Sequence, residues 1–191
     1  MDAGTTITPD RHAVVGDPTD HRLLARPLEF LFVDHLRQRN LCTLIEQLAD
    51  APALQPGLAE RVAGHIAGDL AIHGIDDEED LFPLIRRRAL PEDRIEEVLG
   101  VLSGEHAAQD RLAEALVGDL RAAAAEDRGF PARLRIRLRM FASRLRRYLA
   151  VENAIILPLA ENRLTKADRR GLARRMAARR GLQLEPEACH A

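Results

Sequence analysis

At 191 residues the chain suits one domain with short appendages and is long enough to bury a real core. Hydrophobic residues make up 46% of it, but with no Trp, one Tyr and five Phe the core must be built from Leu, Ile, Val and Ala, a mix that favours helices over strands. A formal net charge of -2 argues against a polyanion as main partner, Cys42 and Cys189 make no disulfide framework, and neither a basic apolar leader nor a stretch of bilayer-spanning length occurs. The expectation is a cytoplasmic protein with no nucleic-acid and no membrane partner.

Residues 1–26 are polar and punctuated by Pro9, Gly16 and Pro18, which reads as a flexible N-terminal arm. Residues 27–163 carry helical periodicity broken at Pro52 to Gly57, at Leu90-Pro91 and at Gly129 to Pro131, giving four helices. Residues 164–191 hold a shorter helix, capped by Thr165 with Asp168 three residues on and running to about Gly181, and then a tail. The expected fold class is all-α, an up-and-down four-helix bundle with an additional short C-terminal helix.

Each long helix has an apolar stripe with a polar interruption. On the first, Leu28, Leu31, Phe32, Cys42 and Ile45 surround His35. On the second, Val62, Ile66 and Leu70 lead to His73 and Asp77, one turn apart, and then to Leu81 and Leu84. The third has His106 among Ile95, Val98, Leu102, Ala113 and Leu116, with Gln109 and Asp110 close by. The fourth runs Leu134, Leu138, Phe141 and Leu145 to Tyr148 and Glu152, again one turn apart, and on to Ile156 and Leu159. Coordination sites in bundles are built from such inward polar groups on facing helices.

The segments HGIDDEEDLFP (73–83) and YLAVENAIILP (148–158) align without a gap. In both, a ring precedes a carboxylate by four positions and a proline by ten, so the chain reads as two repeated helical hairpins. One imidazole and one ring-plus-carboxylate pair from each half suffice to bridge two cations. Imidazole and carboxylate suit iron, manganese or zinc, and carboxylates can bridge two ions. Without a cation, two carboxylates facing an apolar interior would each cost several kcal/mol or take up protons.

The arrangement of His35, then His73 with Asp77-Glu78 and Leu81-Phe82-Pro83, then Glu105-His106, resembles the hemerythrin-like (HHE cation-binding) family over roughly Pro27 to Ala160. The phrases PLEFLFVDHLRQRNLC and ENAIILPLA are similar to a bacterial branch of it. The resemblance implies a four-helix bundle with a non-haem iron pair, used for binding oxygen, for sensing oxygen, nitric oxide or iron, or in iron-centre repair. It implies metal contacts from His35, His73, His106 and Glu152. Two positions depart from the family pattern. Asp77 stands where Glu is usual, with Glu78 the alternative carboxylate if the helix distorts, which Gly74 would permit. Tyr148 stands where His is usual, so the site either uses a phenolate or has one ligand fewer. The candidate metal residues are therefore His35, His73, Asp77, Glu78, His106, Tyr148 and Glu152. The expected cofactor is iron, two ions per chain, with zinc and manganese as substitutes.

Other polar residues have simpler readings. His65 lies round the helix from His73, and His12, His21 and His190 fall in the expected flexible ends. Cys42 is a small core residue. The run Asp76 to Asp80 reads in part as a solvated acidic face, and the arginine-rich runs as solvated faces paired with acidic neighbours. Three functions from different classes fit: a protein that binds or senses oxygen, nitric oxide or peroxide; an enzyme of peroxide removal or iron-centre repair; and a metal-poor helical interaction module with a degraded site.

Overall fold

The protein is seen in a computed structural model that describes residues 19–126 and 129–184, and these are all-helical. Residues 1–18 of the expected arm, with His12, and the tail positions Cys189 and His190 lie outside the described residues. Within them, Thr19 is buried against Asp34, and a 3-10 turn, His21–Ala25, capped by Asp20, leads into the first helix, α1 (Pro27–Asp50).

The second helical run is continuous but not uniform. It consists of α2 (Pro56–His65), a π segment Ile66–Leu70, α3 (Ala71–Ile75), a second π segment Asp76–Leu81, and α4 (Phe82–Arg88). After a short 3-10 turn and Arg94 in the left-handed region (φ 48) comes α5 (Ile95–Ala125). The last long run is α6 (Ala132–Val151), a π segment Glu152–Ile156 and α7 (Leu157–Arg163), followed by α8 (Lys166–Arg179). Thr165 and Asp168 close the capping box of α8 in both directions.

Two of the π segments follow from the sequence repeat. Pro83 and Pro158 have no N–H to give the carbonyl four residues back, and their rings crowd the preceding turn. The helix widens there instead of breaking. Phe82 N–H bonds the Asp77 carbonyl, five residues back, and Leu157 N–H does the same to Glu152. In both, the carbonyl that accepts this bond belongs to the repeat's carboxylate residue.

Polar pairs give the directions of the runs. Arg135 donates to the Ala49 and Ala51 carbonyls, Arg146 pairs with Glu46, and His35 meets Asn153, so α1 and α6 are antiparallel. Arg37 with Asp69 and His35 with His73 give the same sense for α1 and the second run. Glu78 with His106 and Arg86 with Glu96 do so for the second run and α5. Asp119 with Arg137 and Glu105 with Arg147 complete the set between α5 and α6. The core between them is aliphatic, led by Leu31, Leu41, Ile45, Val62, Leu99, Leu120 and Leu138, with Phe30, Phe82 and Phe141. Phe32 is not in it: at 49% exposure it lies about 100° round the helix from Leu31, off the edge of the stripe.

The segment Asp76 to Asp80 is not a solvated acidic face in the main. Asp76 and Asp80 are 0% and 3% exposed and are held by α8. Arg179 and Arg180 pair with Asp76, and Arg175 and Arg179 with Asp80. Only Glu79 keeps the solvated position expected of the run. No described helix is long and apolar enough to cross a membrane.

Candidate metal centre

His35, on α1, sits across the core from His73, on α3, with their Nε2 atoms 3.2 Å apart. Glu152, at the head of the π segment after α6, brings Oε2 to 3.3 Å from His35 Nε2 and 3.8 Å from His73 Nε2. All three side chains are 1% exposed. Two donors each about 2.1 Å from a shared ion stand about 3–4 Å apart, so these separations fit one cation among the three.

The outer nitrogens of both rings are turned away from that point. His35 Nδ1 is 2.8 Å from Asn153 Oδ1, and His73 Nδ1 is 3.0 Å from Asp34 Oδ2, a charge contact misaligned for a hydrogen bond. With Asn153 and Asp34 on the outer nitrogens, the two Nε2 atoms are left facing one another, an arrangement that asks for a cation or a shared proton between them. Asp34 is itself braced by Thr19, Arg37 and Gln38.

Asp77 lies beside this trio, its Oδ2 3.2 Å from His73 Nε2 and 3.9 Å from His106 Nε2. Glu78 points to α5, accepting from His106 Nδ1 at 2.7 Å and from Ser103 at 2.8 Å. The Tyr148 hydroxyl is 3.2 Å from His106 Nδ1 and 3.5 Å from Asp77 Oδ2. The seven candidate residues therefore form two neighbouring groups. His35, His73 and Glu152 make the first; His106, Tyr148 and Glu78 make the second; Asp77 stands between. The wide turn at Asp76–Leu81 lets the adjacent residues Asp77 and Glu78 both serve this region, one toward each ring.

The electrostatics are those of a site short of positive charge. Burial, with the charge of Asp77, pushes the Glu152 carboxyl up to about 8. Burial also works to lower His73, but Asp77, Asp34 and Glu152 outweigh it and hold the imidazole well above its usual range. Burial and the charge of His73 push His35 down to about 4. Burial, then Glu152 and Asp77, raise the Tyr148 phenol well above its usual value. Both oxygens of Glu152 and Oδ1 of Asp77 are buried with no hydrogen-bond partner. Unpaired buried carboxylate oxygens are costly, and a cation among them removes the cost. The donors present thus fit a metal ion, and the set of imidazole, carboxylate and phenol without thiolate suits iron, manganese or zinc.

Sequence reasoning did not find Asp34 and Asn153, the partners that orient the two imidazoles. Each is adjacent in sequence to a candidate ligand, and a carboxylate in the apolar stripe at position 34 was the available signal. His65 is buried 3.8 Å from Asp69 and is not part of the His35–His73–Glu152 cluster. Cys42 is also apart, its thiol pushed up to about 12 by burial.

A cleft of about 960 Å³ runs between the second helical run and α5 and reaches His73, His106 and Tyr148. It gives the second group of donors access to the exterior.

Compared with known families, residues 26–160 match the hemerythrin HHE cation binding domain. No curated protein matches the chain.

Proposed function

The chain belongs to the hemerythrin HHE cation-binding family, and from that premise we propose that it holds two iron ions side by side in an up-and-down four-helix bundle, with α8 packed outside. His35, His73 and Glu152 would hold the first ion, His106, Tyr148 and Glu78 the second, with Asp77 placed to touch both. Bound iron would supply an open coordination position for oxygen, nitric oxide or peroxide, and we read the protein as a binder or sensor of such a molecule.

The observation that carries this reading is the facing pair of imidazole nitrogens with Glu152 beside them, each ring anchored on its far side. The chain's own groups do the preparatory work. Asn153 and Asp34 flank the outer ring nitrogens, Asp77 supplies negative charge, Glu152 would give up its proton to an entering cation, and the surrounding core is aliphatic. Access through the cleft favours a role in which a small molecule comes and goes.

Elemental analysis of protein purified from iron-supplemented cells tests the proposal. More than one iron per chain is expected, with a sharp loss in His73→Ala and Glu152→Ala. Protein without transition metal, or two variants that keep the full content, would overturn it.

A further inference from the structure

The middle of α5 gives the core no fully buried residue, only partly buried ones such as Leu112 and Ala113. Leu102 and Leu116 are buried, but none of the thirteen residues between them is. Gly104, Ala108 and Ala113 in that stretch line the cleft, and so do Ala67, Ala71 and Gly74 from the second run. Side chains this small cannot bridge the two helices, and the gap they leave is the cleft of about 960 Å³. A molecule of liquid water occupies about 30 Å³, and a diatomic gas is of similar size, so the space far exceeds what such a ligand needs. It lies at the upper end of ordinary small-molecule sites, roughly 300–1,000 Å³.

The walls indicate what would fill it. Ile66, Leu70, Val117 and Leu145 line the interior, and at the rim Val101 and Ile75 are 59% and 39% exposed. Two amide oxygens on the wall are unused. Gln38, 1% exposed, donates through Nε2 to Asp34, and Gln109 donates through Nε2 to the Phe141 carbonyl. With the amide nitrogens committed, Gln38 Oε1 and Gln109 Oε1 are buried acceptors with no partner. Buried acceptors of this kind call for a donor. The charges agree: Asp110 and Glu114 line the cleft with no ion-pair partner among the described residues, against a single unpaired cation, Arg144, since Arg147 is taken by Glu105.

We propose that this cleft binds an organic amine with an apolar body, of the alkylamine or arylalkylamine class. The apolar walls take the body, the free amide oxygens of Gln38 and Gln109 accept from the ammonium group, and the exposed carboxylates of α5 at the rim favour a cation over an anion. An anionic amphiphile of the same length is disfavoured by the same groups. The inference goes beyond the cation centre and does not depend on it.

The test uses the full chain, iron-loaded and metal-free, titrated with octylamine, octanol and octanoate. Tyr148, the sole tyrosine, lines the cleft and reports occupancy through its near-ultraviolet absorption, with calorimetry alongside. One octylamine per chain is expected, bound with a negative heat-capacity change and at least tenfold more tightly than octanoate, with or without iron. A Cβ at Gly104 would meet nothing within 4 Å, so Gly104→Leu should fold and weaken octylamine at least tenfold by filling the space. Ala108→Leu should act alike and serves if the first variant fails to fold. Gln109→Met should reduce the preference for the amine several-fold. The proposal falls if no probe saturates and the cleft holds only water, if octanoate binds as tightly as octylamine, or if folded cleft-filling variants bind unchanged. An absent cation centre would appear separately, as protein that takes up no iron yet binds the amine.

Discussion

Glu152 sets the pH behaviour of the metal-free centre. With its carboxyl raised to about 8, the folded protein keeps a proton that the unfolded chain has lost, so its contribution lowers stability as pH rises from about 4.5 to about 8. His73, also raised, has the same sign above about 6.5, whereas His35, lowered to about 4, has the opposite sign below that pH. Above pH 6.5 the contribution of His35 fades and the fall due to Glu152 and His73 dominates. Glu152, titrating together with its neighbours Asp77 and His73, should make the metal-free protein less stable at pH 8 than at pH 6.5. Urea melts of metal-free protein at the two pH values check this, and equal midpoints would contradict it. Cation uptake at pH 7 should release protons from the same groups, measurable by back-titration.

Tyr148 supports a second prediction at this scale. Its phenol is held neutral by burial and by two carboxylates, so in metal-free protein it should not titrate until well above pH 10. A ferric ion at the second group of donors would reverse that preference, giving a phenolate charge-transfer band in the visible that Tyr148→Phe abolishes with the helical content unchanged. A band that survives the substitution would assign Tyr148 to packing. His35, His73 and Glu152 were legible in the sequence as polar breaks in apolar stripes. Asp34 and Asn153 were not, because their role depends on which ring lies across the interface.

Among the elements, α8 is tied to the segment that carries Asp77. Asp76 and Asp80 flank Asp77 and are buried, and their partners Arg175, Arg179 and Arg180 all come from α8 or its end. Removing the cations would strand a buried carboxylate, which costs about 3–5 kcal/mol. Arg179→Ala with Arg180→Ala should therefore lower the unfolding free energy by about that amount, and Asp76→Asn in the same background should recover part of it. Chemical denaturation measures both. An unchanged midpoint in the double variant would mean the clamp is ornamental. The start of α8 was readable from Thr165 and Asp168, and the breaks between the long helices from their prolines and glycines. The clamp was not, since a run of five acidic residues at a helix end ordinarily faces water and only the docking of α8 buries two of them. The wide turns were half legible: the paired prolines 83 and 158 marked the positions, but whether a helix answers proline by breaking or widening is settled by what packs around it.

At the scale of the whole molecule, the first group of donors joins residues from three of the four helical runs, and the second brings in α5. An ion bound there favours the folded state by mass action. At a free cation concentration a hundredfold above the dissociation constant the gain is about 2.7 kcal/mol, or roughly 5–10 °C in melting temperature for a chain of this size. Thermal scans with ferrous iron and with a chelator check it, and coincident transitions would mean the donors do not share an ion. All-helical architecture was legible from composition and periodicity. The cleft beside α5 was not, because small residues at inward positions read equally as close packing or as a gap.

The arginine clamp bears on biosynthesis. A ribosome releases every proposed ligand, from His35 to Glu152, before α8 emerges. Until then Asp76 and Asp80 lack the arginine partners that hold them in the folded chain, and unpaired carboxylates stay in water. Because α8 follows every proposed ligand in the chain, a chain cut before Lys166 should be a poor acceptor of cations although it carries the full set of donors.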